Sequence, residues 1–494
     1  MTGSLTATNV TNKADVSGDQ GVGGLIGVIE GFNQGVEVTF KDCVNGGNNS
    51  GTMTIGGFVG LIQGKRDFTM SFSDCINNGN VTGAGFVGGF VGYIYGNTNI
   101  KMTNSNCTNN GNVAGFFNVG AFLGYSQGSS HLLLAVSHFI NNGNITGNII
   151  GGVVGFIQST ENLNMIISHS INKGVISMGE NIGGFIGEIR GTKQASVELI
   201  NCTNDNSVLN DINLGGFVGV IEHNKDTNIT VSRCFNHGNI TSECPRVGGF
   251  LGWINKNTGM NIFVSNSSNI GEVSGVNNVG GLIGEIFFES KTANNSLVII
   301  NFANKGNVSA GNGLACRLFF VDPYATDNLN TTVLNSINKG CVNATTYAYG
   351  ITNIITKASN VVSMGEVNAS SGSFTFWNAS TDVDLFFGLD GKCVNCTENT
   401  TLFVHNTNTG FYEVESGECV HDLLNAEVEK QNYGMFWTEE LDLVESYVEP
   451  CPLPSPLASP SSQSGGLSDG NKHGVSLFWT GVVVALAAHV AMAQ

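Results

Sequence analysis

A glycine-pair motif recurs along this chain with an almost constant period. Nine copies, from GGLIG at Gly23 to GGLIG at Gly280, follow one another at steps of 31 to 33 residues. Self-similarity at such a period is the signature of a solenoid, in which each unit stacks on the next. An asparagine marker runs in step with it in eleven clear copies, at Asn12, Asn45, Asn77, Asn109, Asn141, Asn172, Asn204, Asn236, Asn269, Asn304 and Asn338.

Each repeat contains three short segments that are typical of strands. In one of them Val36, Val38 and Phe40 alternate with polar residues, and a period of two predicts a strand with one buried face. The second is the GGFVGxI run, and the third is a brief segment centred on residues such as Val81. A helix is disfavoured, because each helical glycine costs about 1 kcal/mol relative to alanine and every repeat carries several glycines.

The sequence therefore predicts an all-β chain: a parallel β-solenoid over residues 1–375, with about eleven 32-residue coils and three short strands in each coil. Neighbouring coils should lie about 4.8 Å apart, so that like side chains form continuous columns. Buried asparagines in such a column can bond amide to amide from coil to coil, and we assign them a structural role. The predicted columns include Phe58 and Phe90, Ile62 and Ile94, and Asn77, Asn109 and Asn141.

The repeat resembles the GLUG repeat, which is named for its Gly-Leu-hydrophobic-Gly core. That core stands here as Gly24–Gly27 and Gly281–Gly284, with Phe replacing Leu in most copies, and the likeness covers about residues 9 to 310. GLUG repeats occur in bacterial adhesins and in IgA-cleaving metallopeptidases. The resemblance implies a surface β-solenoid rather than a reaction, since the H-E-x-x-H zinc motif of those peptidases is absent from this sequence.

Cysteines recur at one position of the repeat. Cys43 and Cys75 would be neighbours in adjacent coils, as would Cys202 and Cys234. A Cα separation of about 4.8 Å lies inside the disulfide range, although parallel side chains do not automatically take the required torsion. Both coil-to-coil disulfides and buried free thiols fit this pattern.

The acidic segment 376–450 is predicted to be a separate unit that caps the last coil. A zinc site is weakly indicated, because the second half of this segment lacks a matching C-x-x-C. Two disulfides fit an extracellular unit better. The four candidate cysteines are Cys393, Cys396, Cys419 and Cys451.

A polar column directly precedes the cysteine position. Asp42 and Asp74 would be neighbours there, as would His138 and His169. Two adjacent carboxylates allow a glycosidase hypothesis, but no apolar pocket that would keep one of them protonated is evident. We interpret this column as a solvated stripe.

The C-terminal end predicts a GPI anchor. Residues 475–494 are apolar and carry no charged side chain, and small residues around Ser464 precede them after a short polar spacer. Ser464 is the expected attachment site, and 451–474 forms a Pro/Ser/Gly-rich stalk. A retained membrane span is the alternative, although it normally places Lys or Arg on its cytoplasmic side. The N-terminus shows no secretory signal, so we expect the chain to lack its true start.

Seventeen N-x-S/T sequons and twelve cysteines favour passage through an oxidising, glycosylating compartment. The net charge is −18 and no basic stripe exists, so no nucleic-acid partner is expected. Glycosylation is predicted at Asn80, Asn144, Asn239, Asn307, Asn378 and Asn399.

The predicted function is a non-enzymatic coat or adhesion protein on the outer leaflet of the plasma membrane. Its partners would be the membrane, through the lipid anchor, and glycan or protein ligands, and no cofactor is expected. The alternative is a surface polysaccharide lyase or hydrolase on the same scaffold, and a protective coat without a ligand is a third hypothesis.

Overall fold

Successive repeats lie over one another in the computed structural model, and the predicted parallel β-solenoid is confirmed. No helix occurs in the part of the chain that the structure describes, and none there could cross a membrane. The described residues are 3–31, 35–209, 212–288, 294–316, 318–322, 329–363, 367–369, 372–383, 386–389, 402–406, 410–414, 436–437 and 443–444.

The first strand of each coil, which forms the long face, is the alternating segment of the repeat. A short strand that ends at the marker asparagine follows it around a corner. The long-face strands are Gly3–Thr8, Val36–Lys41, Arg66–Ser73, Thr98–Ser105, Ser130–Ser137, Asn164–Ser168, Lys193–Ile200, Lys225–Ser232, Thr258–Asn269, Asn295–Asn304 and Leu329–Asn338. The separate corner strands are Thr11–Asn12, Val44–Asn45, Ile76–Asn77, Thr108–Asn109, Ile140–Asn141, Ile171–Asn172, Thr203–Asn204 and Phe235–Asn236.

The second strand forms the short face, a single twelve-stranded sheet in which all strands are parallel. Its strands are Val16–Gly18, Asn49–Gly51, Val81–Gly83, Val113–Ala114, Ile145–Thr146, Ile176–Ser177, Val208–Leu209, Ile240–Thr241, Val273–Gly275, Val308–Ala310, Val342–Ala344 and Val367–Ala369.

The third segment forms the Gly face, in which the glycine pair divides the segment into two strands. The strands before the pair are Val22–Gly23, Thr54–Gly56, Phe86–Gly88, Asn118–Gly120, Ile149–Gly151, Asn181–Gly183, Leu214–Gly215, Val247–Gly248, Val279–Gly280 and Leu314–Cys316. The strands after it are Ile26–Glu30, Val59–Gln63, Val91–Tyr95, Leu123–Gln127, Val154–Gln158, Ile186–Arg190, Val218–Glu222, Leu251–Asn255, Ile283–Phe287 and Phe319–Val321.

The apolar columns fill the interior between the faces. Phe58 and Phe90 are fully buried, and their rings stack with centroids 4.7 Å apart. Phe72, from the long face, meets both rings edge-on, at 5.7 and 5.5 Å. Ile62 and Ile94 are equally buried and pair in register. Stacking therefore buries apolar surface that a single coil would leave exposed.

The glycine pair is required by close approach of backbone atoms. A Cβ atom at Gly88 would lie 1.8 Å from the carbonyl oxygen of Val91. A Cβ atom at Gly89 would lie 2.1 Å from the carbonyl oxygen of Ala121, one coil away. A side chain at Gly88 or Gly89 would therefore overlap backbone atoms, which explains why glycine recurs at these positions, although the next coil holds Ala121 at the second of them.

The regular pattern changes near the C-terminal end of the described residues. The strand Tyr347–Ser363 pairs with strands of both the Gly face and the long face. Pairing remains parallel through Gly372–Val383 and Phe386–Leu389, and it becomes antiparallel at Leu402–Asn406 and Gly410–Val414. A further antiparallel pair joins Phe436–Trp437 and Leu443–Val444. The chain divides into two units, Met1–Cys451 and Pro452–Gln494, and the second lies outside the described residues.

Candidate functional site

The marker asparagines form a continuous buried ladder. Asn77 donates through Nδ2 to Oδ1 of Asn109 at 2.8 Å, and Asn109 donates in the same way to Asn141 at 2.8 Å. Each amide also donates to a carbonyl oxygen of its own turn, as Asn77 does to Gly79 at 2.9 Å. Both donor hydrogens and the oxygen of each amide are therefore used by the fold, as a structural role requires.

The predicted polar column has a conformational origin. Asp42, Asp74, His138 and His169 all adopt positive φ, between 51° and 56°. Asn, Asp and His are the side chains that tolerate this left-handed region best after glycine. Asp42 and Asp74 are exposed, and Asn106 donates to Oδ1 of Asp74 at 2.6 Å. An exposed pair of this kind lacks the apolar pocket that a glycosidase acid needs.

The stacked cysteines are free thiols, so coil-to-coil disulfides were the wrong alternative at Cys43, Cys75, Cys202 and Cys234. Each Sγ donates to a backbone carbonyl oxygen two residues earlier in its own coil, and the thiols of adjacent coils also interact with one another. The Cys75 thiol, for example, donates to the carbonyl oxygen of Ser73 at 3.2 Å. The C-terminal cysteines Cys393, Cys396, Cys419 and Cys451 and the anchor residue Ser464 lie outside the described residues.

The most unusual surface lies on the exterior of the Gly face, where side chains on the two sides of the glycine pair meet. Phe86 contacts Tyr93 with ring centroids 4.7 Å apart, and Asn181 donates to Glu188 at 2.6 Å. Because residues seven positions apart are in contact, the sheet must bend at the pair, and these mostly buried side chains fill the concave side of the bend. We call this concavity, from Phe86 and Tyr93 to Trp253 and Glu285, the Gly-face groove.

One half of the Gly-face groove is aromatic. Tyr93 stacks on Tyr125 at 5.0 Å, and Tyr125 stacks on Phe156 at 5.2 Å. Burial, followed by the nearby charge of Glu188, raises the pKa of Tyr125 to about 12. Tyr95 stands at the edge of this stack and is 48% exposed. A neutral aromatic surface thus reaches solvent at Tyr95.

Tyr95 lies between two amide side chains. Gln63 and Gln127 occupy the same position in the coils before and after it. Gln127 also accepts a hydrogen bond at 2.8 Å from the hydroxyl of Tyr93. The aromatic ring therefore has amide groups, which can both donate and accept, on either side of it.

The other half of the groove is charged. Glu188 is fully buried, and its Oε1 lies 2.5 Å from Nε of Arg190. Glu222, from the next coil, contacts the same Nε atom. Burial is the largest effect on Glu188 and raises its pKa to about 7, although the charge of Arg190 acts in the opposite direction.

A second ion pair extends the charged half. Arg246 donates through Nε to Oε2 of Glu285 at 2.6 Å. Its guanidinium also lies over the ring of Trp253, 4.1 Å from the centroid, at a distance typical of a cation–π contact. Arginine is the cation best suited to such a partly buried, stacked position.

The predicted glycosylation sites lie away from the groove. Asn80, Asn144, Asn239 and Asn307 are exposed at the corner before the short face. Each accepts a backbone hydrogen bond from the next coil through Oδ1, at 2.9 to 3.1 Å. A glycan would be attached through Nδ2 instead. The Asn378 side chain and Asn399 lie outside the described residues.

None of the seventeen sequons falls within the Gly-face strands. Glycans attached to the other faces would therefore leave the Gly-face groove uncovered. Among the described residues no cluster of three or more His, Cys, Asp or Glu side chains could hold a metal ion.

Comparisons with protein-family models, with curated proteins and with solved structures found no match for the chain. The likeness to GLUG repeats thus stays an interpretation of the motif, and the functional argument depends on the geometry of the Gly-face groove.

Proposed function

We propose that this chain is a GPI-anchored cell-surface adhesion protein without enzymatic activity, which binds glycans through the Gly-face groove. The anchor would be attached at Ser464. The observation that carries the binding proposal is the contrast between faces: the sequons avoid the Gly-face strands, where the exposed Tyr95 lies between two amides. A face that binds a large partner must remain free of the protein's own glycans.

The side chains around Tyr95 suit a neutral sugar ring. An exposed aromatic face accepts the apolar C–H side of a sugar, and flanking amides can bond its hydroxyl groups. Gln63, Tyr95 and Gln127 carry no charge, and register spaces them one coil apart. We therefore expect neutral glycans to bind better than sulfated or sialylated ones.

Substitution of Tyr95 tests this proposal. Tyr95→Ala in the full chain, displayed on intact cells, is expected to reduce binding of fluorescent neutral glycans at least tenfold, because it removes the exposed ring. Phe116→Ala is the matched control, since Phe116 is 74% exposed on the next coil but lies outside the groove. Phospholipase cleavage of GPI anchors should remove wild-type binding from the cells.

Equal binding by the Tyr95→Ala and Phe116→Ala variants would overturn the assignment of the Gly-face groove. Retention of the protein on phospholipase-treated cells would overturn the anchor alone, so the two parts of the proposal can fail separately.

A surface polysaccharide lyase or hydrolase is the second candidate, and Glu188 is the observation that favours it. A pKa raised to about 7 is what a general acid requires. However, the Glu188 side chain is fully buried behind Arg190 and Asn181. It therefore lacks hydrogen-bond access to a bound substrate, and adhesion remains the preferred function.

A further inference from the structure

Two buried carboxylates from adjacent coils share one guanidinium nitrogen. Oε1 of Glu188 lies 2.5 Å from Nε of Arg190, and Oε1 of Glu222 contacts that same atom. The Nε atom carries a single N–H, which cannot form a strong bond to both carboxylates at once. The cluster therefore has one positive charge for two carboxyl groups.

The neighbouring strands supply little further charge. Asn181 donates to Oε2 of Glu188 at 2.6 Å, and Asn255 donates to Oε2 of Glu222 at 3.2 Å. Both donors are neutral amides. Phe156 lies beneath the guanidinium of Arg190, 5.5 Å from its ring centroid.

The titratable or charged groups that affect Glu188 are therefore Arg190, Glu222 and Tyr125. Tyr125 is neutral at physiological pH, because its pKa is raised to about 12. The unbalanced carboxylate thus has no second cation among these groups to neutralise it.

We propose that Glu188 is protonated and shares this proton, as a hydrogen bond, with the carboxylate of Glu222, and that loss of the proton weakens the contact between their two coils. With the proton in place, the carboxyl group of Glu188 donates to the carboxylate of Glu222, while Arg190 pairs with the remaining charge. Without it, two buried carboxylates repel each other across one guanidinium. This pH-dependent contact between the coils does not depend on glycan binding.

The direction of the pH effect follows from linkage. The pKa of Glu188 is about 7 in the folded chain and 4.5 as the ordinary value. The folded state therefore binds more protons than the unfolded state between these pH values, so its stability falls as pH rises. The stabilising contribution is complete below pH 4.5 and is lost as pH rises through about 7.

Hydrogen exchange measured by mass spectrometry tests the proposal on the full chain without any ligand. For the strands Ile186–Arg190 and Val218–Glu222, protection corrected for intrinsic exchange should fall on the order of tenfold between pH 5.5 and pH 8.5. Glu188→Gln keeps the shape of the side chain but cannot ionise, and its protection should be nearly constant over this range.

Two further variants complete the test. Glu180→Gln, an exposed position in the same coil, should keep the wild-type response. Glu222→Gln removes the second carboxylate and should reduce the response even where Glu188→Gln gives too little folded protein. A wild-type response below twofold, or an undiminished response in both buried variants, would overturn the shared proton.

Discussion

Phe90→Asp is expected to prevent folding of the solenoid. The Phe90 ring is fully buried, stacks on Phe58 at 4.7 Å and meets Phe72 and Phe139 edge-on. Removal of a buried phenylalanine side chain costs about 3–5 kcal/mol. An unpaired carboxylate in the same place adds several kcal/mol more. The sum approaches or exceeds the whole stability of a typical domain, about 5–15 kcal/mol.

The measurements for this prediction are the secreted yield and the β-sheet signal in far-ultraviolet circular dichroism. Phe116→Asp is the control, because it makes the same chemical change at a ring that is 74% exposed one coil away. We expect Phe116→Asp to be secreted and folded like the wild type. A folded Phe90→Asp protein would show that this column does not face the interior.

Asn109→Asp is expected to produce the second-largest loss of stability. Asn109 donates through Nδ2 to Asn141 Oδ1 and to the carbonyl oxygen of Gly111, both at 2.8 Å. A carboxylate has no hydrogen to donate, so it would face two acceptor oxygens in a buried position. Each buried polar group left without a partner costs about 1–3 kcal/mol, and a charged one costs more. We expect a loss of several kcal/mol, measured as a lower urea midpoint.

Asn110→Asp is the matched control for this variant. Asn110 is the next residue and also bonds along the stack, donating to Asn78 Oδ1 at 2.8 Å, but its side chain is exposed. Water can solvate a carboxylate there, so we expect a loss below about 1 kcal/mol. Equal urea midpoints for the two variants would contradict a buried amide ladder that stabilises the fold.

The regular features of the fold could be predicted because they repeat. Phe58, Phe90 and the marker asparagines occupy fixed positions in a 32-residue period, and a solenoid converts a period in sequence into a column in space. The glycine pair was equally visible, although the sequence alone could not show that the contact excluding a side chain at Gly89 comes from the next coil.

The sequence showed the polar column at Asp42, Asp74 and His138, but the left-handed backbone conformation that causes it was not inferred. The recurrence of Asn, Asp and His at one position is itself a signal of left-handed backbone. A positive φ at each position accounts for these residue types without a catalytic role. The disulfide alternative failed for a different reason, since spacing along the stack fixes the separation of two Cα atoms but not the torsion that a disulfide needs.

The Gly-face groove could not be predicted from the period. Tyr125, Glu188 and Trp253 occupy the variable position x of the GGFVGxI run, where aliphatic, aromatic and acidic residues all occur. Their partners lie in adjacent coils or seven residues away across the glycine pair, as Asn181 does for Glu188. Only the bend of the sheet at the pair brings these side chains together, and that bend is a property of the assembled coil.

Distances between spin labels along one exposed corner test the stacking of coils most directly. Equivalent exposed positions are occupied by Asn78, Asp205, His237 and Ile270. The last three lie four, five and six coils after the coil of Asn78. Pulsed electron–electron double resonance on three doubly labelled proteins, with labels at residue 78 and at 205, 237 or 270, should give separations of about 19, 24 and 29 Å. These values correspond to a rise of about 4.8 Å per coil. Separations that do not increase in equal steps would contradict the stacked solenoid.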